Sequence, residues 1–137
     1  MWILFAFGSA LFAGLTAILA KCGIRNTDSN VATALRTGVV LIFSWTMVFV
    51  VGAQSGIRDI SAKVLIFLIL SGLSTGISWL CYYRALQTGS ASVVVPIDKL
   101  SILVTIAFSY IVFHEKLSLK SGTGLLLIVV GTLALLI

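Results

Sequence analysis

The sequence predicts an all-helical membrane protein with five transmembrane helices. Of its 137 residues, 60% are hydrophobic and 9% are charged, and the mean hydropathy is +1.20. A soluble domain of this size is far less apolar. Five apolar runs approach or exceed the roughly 20 residues that a helix needs to cross a bilayer. They are Trp2–Ala20, Val31–Ala53, Val64–Ala85, Ala91–Phe113 and Ser121–Ile137. Because the connections are short, we expect one transmembrane domain over residues 1–137.

The first predicted span has a face of small residues. Alanines recur there at steps of three and four, at Ala6, Ala10, Ala13, Ala17 and Ala20. Small residues let helix backbones approach closely in lipid, so we expect a packing face. The run has no basic segment before it and is too long for the apolar part of a signal peptide.

The second predicted span contains one charged residue, Arg36, about one turn inside the run. Two roles are open for this side chain. It either reaches back to the lipid headgroups or attracts an anionic group. Trp45 lies near the middle of the same span, and we expect it to shape a cavity.

The third predicted span has two distinct faces. Gly72 and Gly76 form a G-x-x-x-G step, which is typical of a close helix contact. Hydroxyl side chains form a neighbouring stripe that ends at Tyr82. Trp79 lies well inside the span, unlike the aromatic residues of a membrane interface. We therefore expect Trp79 and Tyr82 to face a substrate, with helix packing as the alternative.

The fourth predicted span contains two adjacent charges, Asp98 and Lys99. They lie about 10–12 Å inside the run at 1.5 Å per residue, and charges at such depth usually mark function. Adjacent helical residues point about 100° apart, so we expect the two not to neutralise each other side by side. Asp98 begins a polar stripe with Ser101 and Thr105, which makes it a candidate proton carrier. The alternative is a structural pairing with Arg84 or with a second subunit.

Pro96 precedes this charged pair by two residues. A proline inside a span bends the helix and leaves a carbonyl without its donor, and broken helices often build transporter sites. Alternatively, Pro96 belongs to the first irregular turn after Gly89 and Ser90.

Basic residues are divided equally between the two sides of a five-span arrangement. Four lie on each side: Arg58, Lys63, Lys116 and Lys120 on one, and Lys21, Arg25, Arg36 and Arg84 on the other. The positive-inside rule therefore gives almost no instruction about orientation. We expect the chain to insert both ways and to pair with an inverted copy of itself, as an antiparallel homodimer.

Other function classes find little support in the sequence. The net charge of +5 sits at helix ends, where it suits membrane lipids, and no free basic surface suits nucleic acid. The chain has two cysteines and one histidine, with no metal-type spacing and no nucleophile–base pair. We therefore expect no enzymatic activity, no metal and no cofactor.

The last 55 residues or so resemble a known family. The stretch from Tyr82 to Gly131 resembles the EamA repeat of the drug/metabolite transporter superfamily, in its single-repeat, five-span bacterial branch. The positions that match are Arg84-Ala85-Leu86, Gly89, Ala91, Pro96, Glu115 and Gly124. Most family members contain two such repeats in tandem, so the resemblance implies that two chains supply one transporter. It also implies a cavity formed mainly by spans one to four, and a structural, interfacial role for Glu115.

Together these features predict a secondary transporter in a bacterial inner membrane that exports or exchanges a small metabolite or drug-like solute by alternating access. We expect Asp98 to couple transport to protons. The expected substrate-binding residues are Arg36, Trp45, Trp79, Tyr82, Lys99, Ser101 and Thr105; the structural ones are Gly72, Gly76, Arg84, Pro96 and Glu115. One alternative is a flippase for a lipid-linked sugar or headgroup, and another is a non-transporting membrane subunit of a larger complex.

Overall fold

The computed structural model describes residues 1–114 and 118–135, which are helical with no strand among them. This confirms the predicted all-helical fold class. The elements in chain order are α1 (Trp2–Gly23), α2 (Ser29–Val51), a 3₁₀ helix (Ala53–Asp59), α3 (Ala62–Thr88), α4 (Ala91–Asp98), α5 (Ser101–Phe113) and α6 (Leu119–Ala134).

Within residues 1–114 and 118–135, four helical segments are long and apolar enough to cross a membrane. They are α1, α2, α3 and the segment Ala91–Phe113 that contains α4 and α5, with 22 to 27 residues and mean hydropathies of 1.8 to 2.2. The helix α6 has 16 residues and is therefore about 24 Å long, shorter than a hydrocarbon core of about 30 Å. The fifth membrane crossing thus stays a prediction.

The ends of α2 are set by a cap at one end and a glycine at the other. The Asp28 side chain accepts hydrogen bonds from the backbone N–H groups of Asn30 and Val31, at 2.8 and 3.3 Å. These bonds satisfy donors that the first helical turn leaves unpaired, so α2 begins two residues before the predicted span. At the other end, Gly52 has a φ of 74°, a left-handed conformation that glycine adopts without strain. The helix therefore stops at Val51.

The chain forms two compact units. One contains Met1–Ile18 and Thr88–Ile137, and the other contains Leu19–Gln87. In the first unit, α4 packs against α6. Thr132 of α6 is buried, and its hydroxyl donates to the Ile128 carbonyl at 2.8 Å. This polar side chain is therefore satisfied within its own helix.

The second unit has its buried core where the turn between α1 and α2 meets the end of α3. The buried hydrophobic residues there are Ala20, Ile24, Tyr83 and Leu86. The Gln87 amide nitrogen donates to the Thr27 carbonyl at 2.8 Å, and the Lys21 ammonium donates to the Leu86 carbonyl. Carbonyls in the last turn of a helix have no intrahelical donor. The Lys21 bond supplies one for α3, while Gln87 ties α3 to the preceding turn.

The segment Ala91–Phe113 is interrupted between Asp98 and Ser101. Pro96 is the sixth residue of α4, past the first turn, so it lies inside the span rather than at its start. It has no N–H to donate to the carbonyl four residues before it. The next backbone bonds tighten to a three-residue spacing, with Leu100 N–H on the Ile97 carbonyl at 2.9 Å and Ile102 N–H on the Lys99 carbonyl at 3.1 Å.

We expect Gln87→Ala to destabilise the protein, because the Thr27 carbonyl loses its side-chain donor. A lost hydrogen bond of this kind typically costs about 1 kcal/mol, so the free energy of unfolding and the thermal midpoint in detergent should both fall. Gln54→Ala is the matched control, since Gln54 is exposed in the 3₁₀ helix. Equal midpoints for the two variants would show that the Gln87 bond does not stabilise the fold.

Candidate functional site

The candidate site is a groove between α2 and α3 in the second unit, referred to below as the α2–α3 groove. Its volume is ≈ 440 Å³, within the usual range for small-molecule sites. It is lined by Arg36, Thr37, Val40, Leu68, Ser71, Gly72, Thr75, Gly76 and Trp79. The structure thus brings together four residues that the sequence singled out, namely Arg36, Trp79 and the two glycines.

Arg36 crosses the α2–α3 groove to Trp79. The carbon of its guanidinium group lies 2.9 Å from the centroid of the Trp79 ring, so the cation rests on the face of the indole. Arg36 is seven residues from the start of α2, or about 10 Å along the helix. A cation–π contact contributes about 0.5–1 kcal/mol when exposed and about 2 kcal/mol when shielded from water. The side chain thus contacts Trp79 in the single chain, and the attraction of an anionic group stays a prediction.

The ring of Trp79 also stacks with the ring of Tyr83. The two rings stack with centroids 6.1 Å apart and planes 24° apart, and Tyr83 is buried. Tyr82 meets the edge of Tyr83 at 6.4 Å but does not line the α2–α3 groove. Sequence reasoning did not identify Tyr83 as a stacking partner, although its spacing of four residues from Trp79 puts both rings on one helix face.

Gly72 and Gly76 keep the α2–α3 groove open. A Cβ atom added at either position would meet nothing within 4 Å. Within the described residues these glycines therefore make no close helix contact of the kind that the G-x-x-x-G step predicts. Contact with a second subunit stays a prediction, and in the single chain the glycines leave the backbone of α3 accessible.

Two threonine hydroxyls in the α2–α3 groove donate their hydrogen bonds to backbone carbonyls. Thr37 donates to the Thr33 carbonyl at 2.8 Å, and Thr75 donates to the Ser71 carbonyl at 2.9 Å. A hydroxyl that donates to its own helix still has lone pairs to offer. The groove therefore presents one fixed cation together with hydroxyl oxygens that accept hydrogen bonds.

Trp45 lies in a neighbouring cavity of ≈ 340 Å³, which is lined by Thr37, Val40, Leu41, Ser44, Trp45, Val48 and Ile57. Its ring is 6.2 Å from that of Phe49, with the two planes tilted by 34°. Thr37 and Val40 line both cavities. Trp45 is therefore close to the α2–α3 groove but does not form part of its lining.

Asp98 and Lys99 form an ion pair in the first unit. The Lys99 ammonium nitrogen is 3.6 Å from a carboxylate oxygen of Asp98, and the two side chains are 58% and 39% exposed, respectively. The prediction that they do not lie side by side is wrong, because a lysine side chain is long and flexible enough to fold back over its neighbour. Ser101 and Thr105 follow on α5, where the Thr105 hydroxyl donates to the Ser101 carbonyl at 3.2 Å.

Two further predicted residues lie away from these groups. The guanidinium of Arg84 donates to the side-chain oxygen of Gln87 at 3.4 Å, at the end of α3. Glu115 lies outside the described residues. Across residues 1–114 and 118–135, no group of three or more His, Cys, Asp or Glu side chains is placed to hold a metal ion.

Comparison with known proteins identifies the family. The whole chain, residues 1–137, matches the EamA-like transporter family and belongs to it. An uncharacterized transporter from the cobO 3′ region of Sinorhizobium sp is 42% identical over 134 residues, which are 98% of this chain and 95% of that protein. An uncharacterized protein of Methanocaldococcus jannaschii is 31% identical over 103 residues, 69% of this chain and 75% of the relative.

A third relative is longer. The uncharacterized transporter YvbV of Bacillus subtilis is 32% identical over 128 residues, which are 93% of this chain but 42% of YvbV. No solved structure matches the chain. The family match confirms the resemblance found in the sequence. Together with four apolar helices of membrane-spanning length, it identifies the chain as a multi-pass membrane transporter.

We expect Gly76→Leu to leave the fold of the single chain intact but to block the α2–α3 groove, because the new side chain meets open space there. Uptake into proteoliposomes should fall roughly tenfold or more, as expected when about 1.4 kcal/mol of binding is lost. Gly8→Leu is the control, since Gly8 of α1 also has nothing within 4 Å of an added Cβ. Light scattering after gel filtration measures assembly. A dissociated Gly76→Leu protein would instead show that this glycine packs against a neighbouring subunit.

Proposed function

We propose that the protein is a secondary transporter that moves a small metabolite or drug-like solute across a bacterial inner membrane by alternating access. The observation that carries this proposal is the α2–α3 groove, where Arg36 rests on Trp79 about two turns inside an apolar helix. Sites for small molecules typically combine an apolar lining with a few polar groups. A charged group at such depth is costly and usually functional.

The working unit in this proposal is an antiparallel homodimer. The Sinorhizobium relative is matched over 95% of its length, so it is similar in size to the present chain. In contrast, the chain covers 42% of YvbV, a length that leaves room for a second such unit in that protein. Transporters often place their substrate between two inverted units, and two copies of this chain in opposite orientations would supply that arrangement.

The distribution of basic residues supports insertion in both orientations. In the structure, Arg36 lies in the α2–α3 groove rather than in a loop, which leaves three basic residues at one set of helix ends and four at the other. The first set is Lys21, Arg25 and Arg84, and the second is Arg58, Lys63, Lys116 and Lys120. A difference of one positive charge is a weak topological signal.

We expect labelling from both sides of the membrane when single cysteines are placed at Ser61 or Asn26. Both residues are exposed and lie between helices, Asn26 before the start of α2 and Ser61 after its end. The background lacks Cys22 and Cys81, and the reagent is a maleimide that does not cross membranes. Ser61 labelled from one side only, with Asn26 labelled from the other, would contradict dual orientation and favour a partner of a different kind.

Proton coupling in this proposal depends on Asp98. Its side chain is partly exposed on a membrane-spanning segment, where contact of a charge with lipid costs at least about 2.5–3.5 kcal/mol. In this proposal the Asp98–Lys99 pair therefore faces an aqueous path or the second subunit rather than lipid. Ser101 and Thr105 line the same path. The three-residue bonding after Pro96 provides a point at which the span can flex when Asp98 gains or loses a proton.

We expect Asp98→Asn to give a folded protein that exchanges substrate but does not concentrate it, because an amide does not cycle a proton. If the pair faces an aqueous path, it contributes only about 0–1 kcal/mol as a partly exposed ion pair, and its loss should leave assembly intact. Uptake driven by a pH gradient in proteoliposomes measures coupling, with a substrate identified by a thermal-shift screen. Asp59→Asn, in the exposed 3₁₀ helix, should retain full uptake.

Normal concentrative uptake by a stable Asp98→Asn protein would contradict coupling through this carboxylate. The double variant Asp98→Asn/Lys99→Met separates two roles of Lys99. If Lys99 serves only to pair with Asp98, the double variant should regain the stability that Lys99→Met loses. If Lys99 also binds substrate, the double variant should be stable and also lose exchange.

A further inference from the structure

We propose that the α2–α3 groove binds a small organic monoanion with a flat, apolar body, such as an aromatic carboxylate. This inference rests on the proposed transport function and narrows its substrate class. It is carried by the charge of Arg36, the orientation of its guanidinium group, the glycine surface of α3 and the state of two threonine hydroxyls.

The charge in the α2–α3 groove is positive and lacks a carboxylate partner within the described residues. Among the described lining residues Arg36 alone is charged, whereas the ion pair described in the structure joins Asp98 to Lys99. The face of Trp79 attracts the guanidinium through its ring quadrupole but carries no net charge. A ligand with a negative group would therefore complete the neutralisation of this site.

The orientation of Arg36 leaves its hydrogen-bond donors available. A guanidinium group is planar, and its five N–H donors point outward in that plane. The guanidinium carbon lies 2.9 Å from the centroid of the Trp79 ring, and a planar guanidinium that stacks on an aromatic ring keeps the N–H donors at its edge available for hydrogen bonds. A carboxylate accepts two parallel N–H bonds from such an edge, which makes it the anionic group that fits this arrangement best.

The shape of the groove favours a flat body behind the carboxylate. Gly72 and Gly76 are one helical turn apart, and space is open for at least 4 Å around the position of a Cβ on each. No side chain therefore separates a ligand from the backbone of α3 at these two positions. Val40 and Leu68 add apolar lining, and the volume of ≈ 440 Å³ accommodates a single ring with its substituents.

The threonine hydroxyls favour one negative group rather than two. Thr37 and Thr75 donate to backbone carbonyls at 2.8 and 2.9 Å. Towards a ligand, their hydroxyl oxygens therefore act as hydrogen-bond acceptors. Next to Thr37 or Thr75, a second carboxylate or a phosphate dianion would face acceptors instead of donors, and among the described lining residues the Ser71 side chain is the other hydroxyl. A neutral ring, or one that carries a hydroxyl or amine donor, suits the two threonines better.

Benzoate binding to the purified full-length protein in lipid nanodiscs tests the proposal by isothermal titration. The comparison ligands are phthalate, which has two carboxylates, cyclohexanecarboxylate, which is not flat, and benzylamine, which is a cation. We expect saturable binding of benzoate, weaker binding of phthalate and cyclohexanecarboxylate, and none of benzylamine. Benzylamine binding as tightly as benzoate, or no saturable benzoate binding, would overturn the proposal without any mutation.

Variants locate the binding site. We expect Arg36→Gln to weaken benzoate binding by about tenfold or more, since a charge-assisted pair of hydrogen bonds is lost. Arg36→Lys keeps the charge but not the paired donors, so it should bind with intermediate affinity and supplies the test if Arg36→Gln does not fold. Arg58→Gln removes an exposed charge from the 3₁₀ helix and should bind benzoate as the unmodified protein does. Unchanged affinity in both Arg36 variants would overturn the assignment.

Uptake of radiolabelled benzoate into proteoliposomes separates this inference from the proposed function. Saturable binding and uptake together support both. Binding without uptake of any tested solute would support the anion site and contradict transport. Uptake of an amine by a protein that does not bind benzoate would contradict the anion site and leave the transport proposal intact.

Discussion

The contact between Arg36 and Trp79 joins α2 to α3 in the second unit and holds the one charge of the groove lining that the structure describes. A guanidinium inside an apolar span needs a partner, because lipid offers it neither hydrogen bonds nor water. Trp79 supplies an aromatic face at 2.9 Å and stacks with the buried ring of Tyr83. The contact links one face of α2 to one face of α3, while the bonds of Lys21 and Gln87 fasten the end of α3.

The same constraint explains the other polar side chains of the spans. Asp98 and Lys99 compensate each other's charge directly, and threonine hydroxyls such as those of Thr75 and Thr132 donate to carbonyls of their own helices. These named groups are satisfied locally, whereas Arg36 places a positive charge in a groove of small-molecule size. Because the chain belongs to the EamA-like transporter family, we interpret that groove as a site for a transported solute.

The length of the apolar runs predicts the helices, but not their ends or their contacts. The start of α2 depends on Asp28, a capping residue outside the apolar run, and its end depends on the left-handed Gly52. Spacing along one helix identifies Arg36 and Trp79 as unusual but does not reveal that they touch, because contacts between helices depend on how each helix is rotated. The expected separation of Asp98 and Lys99 failed because backbone direction alone does not fix a flexible lysine side chain.

In the proposed mechanism the α2–α3 groove admits its solute from water, so the groove must be reachable from the aqueous side. Alkylation of a single cysteine in the groove tests this requirement most directly, in a background without Cys22 and Cys81 and with a membrane-impermeant maleimide. Ser71→Cys places the thiol in the groove lining, whereas Leu70→Cys places it on the adjacent, exposed apolar position of α3. Rapid alkylation at position 71 with little at position 70 is the expected result. No alkylation at position 71, or equal rates at both positions, would contradict the account.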